Sequence, residues 1–411
     1  MEENRDSFPV EKIRKDFPIL QQMVHGRPLV YFDNGATTQK PECVIQRIDR
    51  LYREQNSSIH RSVSHLSEKM TLEYEQARNT VARFINARSS REVVFTSGAT
   101  ASINLVASCF GREFIREGDE ILITHMEHHS NIVPWQMVRD QAGARIRVAP
   151  VTDAGDLDLE GFQDLLSDRT RIVALTHVSN ALGTVNPVKD LIGMAHARNI
   201  PVMIDGAQGI QHGKVDVQDL DADFYLFSGH KVFGPTGIGV LYGKEVWLDK
   251  LPPWQGGGDM IERVTFEKTT FNELPFKFEA GTTHYVGAIG LAEALDYLTR
   301  TGLDEIHAYE NELLRYGTGV LEAIPNLRIY GRAETKIPIF SFLLEGIHPY
   351  DAGMVIDKYG VAVRTGTHCT MPLMDRFGIT GTIRASLCFY NTREEIDQLA
   401  SGLAMVNQMF A

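Results

Sequence analysis

Short apolar runs separated by helix-length amphipathic stretches set the plan of this chain. Val93–Thr96, Asp119–Thr124, Arg145–Val151, Thr170–Asn180, Pro201–Asp205 and Asp223–Ser228 each read as a strand. Helical patterns such as Asp158–Leu166 and Val188–Arg198 lie between most of them. That alternation predicts an α/β fold with a mostly parallel sheet covered by helices on both faces. Ahead of it, Met1–Pro28 reads as an arm with an amphipathic helix around Val10–Phe17, followed by helices near Pro41–Gln55 and over Leu72–Asn86. From Pro252 to Gly281 glycine punctuation and the alternating runs RVTFEK and FKFEAG predict a hairpin-like excursion. Helices at Val286–Thr301, Asp304–Ile324 and Pro349–Tyr359 and strands near Leu327–Tyr330 and Ile337–Leu344 then describe a smaller α+β unit. The predicted division is a large domain over 26–290, with the 252–281 excursion, and a small domain from 1–25 and 291–411.

Chemistry collects at the strand ends. The run DFYLFSGHK delivers Lys231 to the end of an apolar strand, and PVMID ends in Asp205, where a parallel sheet places ligand-facing acids. A desolvated lysine favours its neutral amine and suits Schiff-base chemistry with an aldehyde, while a carboxylate can hold a pyridine nitrogen protonated. Gln208 follows one turn after Asp205 and is placed to meet the phenolic oxygen of such a ring. Gly234, Pro235, Gly237 and Gly239, crowded behind Lys231, predict backbone packed close to something bound. The turn Ser97–Thr100 opens an apolar helix through Ala107 with small residues, a plausible cup for an anion at the positive end of the helix.

HMEHHSN follows another strand. His125 and His129 have the i, i+4 spacing of a zinc pair, but His128 stacking on a flat ring and passing protons is the more economical reading, and no metal is expected. His60 and His65 lie in or beside a polar loop and read as bland. Asn180 ends a strand and either meets a ligand or shapes the turn. In GVAVRTGTHCTMPLM, Gly360–Met374, Cys369 sits on a loop of small and polar residues beside His368 and downstream of Arg364, an exposed thiol fit to attack. Arg364 and Arg384 could each fork onto a carboxylate, the alternative being that one of them serves only as an ion-pair partner.

Composition narrows the class. The 411 residues are 43% hydrophobic and 23% charged, enough for two substantial cores. A formal charge of −12 argues against a nucleic-acid binder. No apolar run approaches the roughly 20 residues of a membrane span and the N-terminal stretch lacks a signal-peptide core, so a cytoplasmic protein is expected. Four scattered cysteines with no CxxC pair indicate neither a disulfide framework nor a thiol-rich zinc site.

MEHHSNIVPW, HVSNALGTVNPV, DGAQ, FSGHKVFGPTGIGVLYGKE, PPWQGGGDMI, FEAGT, RTGTHC and RASLCFYNT, in this order, resemble the SufS-like group II cysteine desulfurases of the class V aminotransferase superfamily. The similarity runs from about Phe17 onward. It implies fold type I, pyridoxal 5'-phosphate, a homodimer, and conversion of L-cysteine to L-alanine with the sulfur left as a persulfide on the enzyme and supplied to iron–sulfur cluster assembly. L-selenocysteine is the rival substrate. By the same resemblance Lys231 is the Schiff-base lysine, Asp205 the pyridinium partner, Gln208 the phenolate contact and His128 the stacking residue. Ala99, Thr100, Ser228 and His230 hold the phosphate, and Thr282 reaches the phosphate of the other subunit. Asn180, Arg364 and Arg384 match substrate-carboxylate contacts, and Cys369 matches the nucleophile. Two departures stand out: Ala99–Thr100 where two threonines are usual, and Thr367 where a histidine is common. The short loop around Cys369 fits group II, whose members depend on an acceptor protein of the SufE or SufU type.

Overall fold

The computed structural model describes residues 8–410. The first seven residues of the expected arm, and Ala411 at the end of the expected small domain, lie outside the described residues.

Seven strands form the central sheet: β1 (Val93–Thr96), β2 (Glu120–Thr124), β3 (Arg145–Ala149), β4 (Thr170–Thr176), β5 (Val202–Asp205), β6 (Phe224–Ser228) and β7 (Gly239–Gly243). Their order across the sheet is β1-β7-β6-β5-β4-β2-β3. β7 is antiparallel to both neighbours and the other pairings are parallel, so β1 to β6 point one way. All residues of β2, β5, β6 and β7 are buried, as expected of strands covered on both faces. The carboxyl ends of β1, β2, β4, β5 and β6 therefore share one edge.

β7 corrects the reading of the glycine-rich run after Lys231. Its second half is a strand, and the close approach is to the chain itself. A Cβ on Gly239 would stand 2.4 Å from the Gly98 Cα, and one on Gly229 would stand 2.7 Å from the Ile238 Cγ2. Both glycines are needed for the turns after β1 and β6 to lie against each other.

The excursion is a hairpin of β8 (Ile261–Val264) and β9 (Thr269–Phe271), with Phe266 fully exposed at its tip. FKFEAG is no strand, however: Phe276–Phe278 form a 3-10 turn. The reason is Glu279, which is pulled inward. Its two oxygens take Arg78 Nη1 at 2.6 Å and Nη2 at 2.9 Å, and also accept from the Tyr74 hydroxyl and the Phe95 N–H. Both charges are buried, so removing one strands the other. Glu279→Ala should lower stability by about 3–5 kcal/mol, read as a lower midpoint in urea unfolding.

A second sheet, all antiparallel, contains β10 (Leu327–Tyr330), β11 (Ile339–Leu344), β12 (Arg364–Gly366) and β13 (Thr382–Ser386), in the order β10-β11-β13-β12. Helices Leu303–Glu322, Pro349–Lys358 and Arg393–Phe410 pack with it. The N-terminal segment returns to this end of the chain: Arg14 pairs with Glu395 at 2.8 Å and donates to the Tyr390 carbonyl at 2.6 Å. The long helix spans His65–Phe84, starting earlier than its apolar pattern suggested because Ser64 caps it by accepting the Ser67 N–H. His65 thus belongs to the helix, not to the loop. Among the described residues no helix is long and apolar enough to cross a membrane.

Candidate active site

At the shared strand edge lies a cavity of about 190 Å³. It is lined by Ala99, Thr100, His128, Asn180, Asp205, Gln208, Ser228, His230, Lys231 and Arg364, ten of the residues picked from the sequence. A larger groove of about 820 Å³ runs beside β10, but no lysine or cysteine lines it.

Lys231 is delivered by a 3-10 turn, Gly229–Lys231, directly after β6. Burial disfavours its ammonium and lowers its pKa to about 8, although Asp205 pulls the other way. Asp205 ends β5, is buried, and accepts the Ala207 N–H at 2.9 Å. Burial raises its pKa, while that backbone bond and Lys231 oppose the rise. An acid and an amine thus meet on one wall.

A further part of the lining comes from the loop after β2. Glu127 is buried and accepts from the Thr124 hydroxyl, the Asn131 amide and the Thr176 N–H, which ties this loop to β4. Next to it, His128 accepts the Ser130 N–H on Nδ1 at 3.1 Å, so its neutral ring carries the proton on Nε2. Burial, with Lys231 and other cations adding to it, drives its pKa down to about 3 and keeps it neutral. No group of three or more His, Cys, Asp or Glu among the described residues could hold a metal. His125 and His129 do not share a helix, because His129 opens a separate 3-10 turn.

The helix Ala99–Phe114 begins at Gly98 with no side-chain cap, and the Ala99 N–H donates to Ser228 Oγ at 2.8 Å. Its first-turn N–H groups and the Thr100 hydroxyl stand at the cavity, where an anion would be held. His230 is kept neutral chiefly by burial, its pKa lowered to about 4. Gln208 donates to the Gly35 carbonyl at 2.7 Å.

Cys369 is half-buried on the loop between β12 and β13, with Arg364 Nη2 at 3.7 Å from Sγ. Asn180 donates to the His368 carbonyl at 2.8 Å and so holds this loop. Arg384 does not line the cavity. It is fully buried, donating to the Asn180 carbonyl at 2.9 Å and pairing with Asp33 Oδ1 at 2.8 Å. Arg364 is therefore the guanidinium open to the site, while Arg384 ties Asn180 to Asp33. Thr282 is exposed and also lies outside the cavity lining.

Gly35, Ala36, Ser130, Thr176, Val178 and Ala207 also line the cavity and were missed. A signal existed for two of them: Gly35–Thr37 and Gly98–Thr100 are both Gly-Ala-Thr, each soon after a short apolar run.

A buried acid and a desolvated lysine at the carboxyl edge of a doubly wound sheet, beside an uncapped helix start, form the binding frame of a pyridoxal phosphate enzyme. The residues fit that cofactor in charge and kind: an anion cup, an acid for the ring nitrogen and a neutral histidine for the ring face. The family model for aminotransferase class-V matches residues 30–399, and a cysteine desulfurase of Salmonella agona is 50% identical over 98% of this chain and 99% of its own length. The chain belongs to the class-V aminotransferase family and is pyridoxal phosphate-dependent. A cysteine desulfurase of Synechococcus elongatus is 53% identical over 97% of this chain, which spans only 64% of that relative's length. The crystal structure of the cysteine desulfurase CsdA from Escherichia coli superposes with a TM-score of 0.91 at 37% identity, covering 99% of this chain and 100% of that one.

Proposed function

We propose that this chain is a cysteine desulfurase that converts L-cysteine to L-alanine and keeps the sulfur as a persulfide on Cys369. The observation that carries the reading is the half-buried Cys369, held 3.7 Å from Arg364 on a short loop beside the cavity that contains Lys231 and Asp205. A transaminase would have no use for that thiol.

When bound, pyridoxal phosphate supplies an electron sink that loosens the Cα proton and the carbon–sulfur bond of an attached amino acid. Asp205 would keep the ring nitrogen protonated; Ala99, Thr100, Ser228 and His230 would hold the phosphate, with Thr282 serving the other subunit of a homodimer. Lys231 would anchor the cofactor, and its Nζ would take the Cα proton. Arg364 binds the substrate carboxylate, and Asn180, steadied by Arg384, lines the same end. His128 presents its Nε2–H to return a proton to carbon. Cys369 Sγ attacks the substrate sulfur: an S–S bond forms, the C–S bond breaks, and its electron pair remains with the carbon skeleton that leaves as alanine. Cysteine plus thiol gives alanine plus persulfide, so no outside oxidant is needed.

Residues 26–290 form the cofactor-binding domain in this reading, and 1–25 with 291–411 the domain carrying the Cys369 loop. A SufE- or SufU-type acceptor drains the persulfide toward iron–sulfur cluster assembly in the cytoplasm. L-selenocysteine is a second substrate, because its carbon–selenium bond breaks more readily.

The test is a single-turnover reaction of the holoenzyme with L-cysteine, without acceptor. One alanine and one persulfide per site are expected, the persulfide mapped to the Cys369 peptide by mass spectrometry. Alanine without persulfide, or pyruvate in place of alanine, would refute the assignment.

A further inference from the structure

His129, left over from the zinc spacing, grips the loop of Cys369 twice. Its backbone N–H donates to the Cys369 carbonyl at 2.8 Å, and its imidazole Nε2 accepts the Met371 N–H at 3.0 Å. The two bonds fix the peptide groups on either side of Thr370. What they hold is a costly backbone: His368 and Cys369 have φ of +52° and +60°, both left-handed without being glycine. Such a pair persists only where its surroundings over-determine it.

Two other holds on this loop act before the sulfur. Asn180 grips the His368 carbonyl, and His368 Nε2 meets Thr382 Oγ1 at 2.8 Å. Past Cys369, His129 holds the two peptide groups nearest the sulfur, whereas Arg376 ties only the far end of the following helix, to the Val151 carbonyl and Asp153; His129 is absent from the cavity lining where its neighbour His128 stands. We propose that His129 is a positioning residue for sulfur transfer, whose Nε2 lone pair holds the chain after Cys369 so that Sγ is aimed at the substrate sulfur. The role requires a neutral ring with its proton on Nδ1, since Nε2 accepts an N–H. It rests on the desulfurase reading above.

Three holoenzyme variants test it. His129→Phe keeps a flat ring without the lone pair, His129→Gln places an oxygen about where Nε2 stands, and His129→Asn offers the same amide one methylene short. Cofactor absorption and L-cysteine binding, by spectral titration, should be unchanged in all three. The first-turnover rate of persulfide formation should fall by about 10- to 100-fold in His129→Phe and His129→Asn, the scale set by slight misplacement of reacting atoms, and His129→Gln should recover most of it. The rate of Cys369 alkylation by iodoacetamide should shift in the same two variants. Equal rates in Gln and Asn, native-like turnover in Phe, or a loss accompanied by weaker cysteine binding would each overturn the proposal. If Phe does not fold, the Gln and Asn pair decides. Failure of the native chain to make alanine would instead sink the desulfurase reading, and the alkylation rates would still report whether His129 holds the loop.

Discussion

Cys369→Ala should stop alanine formation from L-cysteine, a loss on the order of 10⁴-fold or more, while cofactor absorption and substrate binding remain. The physical reason lies in the leaving sulfur. Without an acceptor the C–S bond must break to a free sulfide; with one, the sulfur is passed directly to Sγ. Cys369 is the only cysteine that can serve: Cys109 and Cys388 are fully buried with pKa raised by that burial, and Cys43 has its pKa raised to about 11, again chiefly by desolvation. Alanine production from L-selenocysteine should survive the same substitution, because selenium departs without help. Measuring alanine from both amino acids, native and variant side by side, separates the cases. Cysteine turnover within tenfold of native in Cys369→Ala would show that the nucleophile is wrongly assigned.

Lys231→Ala should be nearly as severe, because it removes the cofactor's anchor and the proton carrier together. Proton transfer alone is worth about 10²–10⁴-fold. A second consequence can be read without turnover. Only the neutral amine condenses with an aldehyde, and burial has lowered the lysine's pKa to about 8. Cofactor uptake by the apoprotein should therefore quicken as pH rises through about 8 and level off above it. Asp205 stabilises the ammonium, so Asp205→Asn should move that inflection to lower pH. Absorbance of the reconstituting cofactor measures both; a rate independent of pH would contradict a desolvated Lys231.

The positions of Lys231 and Asp205 were legible because each ends a run of apolar residues, and a strand end is a local property. The direction of β7 was not, since Gly239–Gly243 reads as an ordinary strand only once its antiparallel neighbours Val93–Thr96 and Phe224–Ser228 are known. Which of Arg364 and Arg384 would be the ion-pair partner was not legible, for a similar reason. The partner of Arg384, Asp33, lies 351 residues away, and nothing local says that a guanidinium will be wholly buried. Glu279, 201 residues from Arg78, turned an apparent strand into a turn by the same kind of distant demand. The loop setting of Cys369 was legible, while the left-handed backbone beneath it carries no glycine to announce it.

The site is also assembled out of order. Asp33 and Gly35 cannot take their places until Arg384 and Ser386 arrive, as the Asp33–Arg384 pair and the 2.8 Å bond from the Gly35 N–H to Ser386 Oγ require. On a ribosome adding about 5–20 residues each second, roughly 8–30 s separate synthesis of Lys231 from that of Arg384. During that interval Lys231 lacks the complete burial and the nearby Arg384 charge that lower its pKa, so its amine becomes reactive only once the last wall is in place.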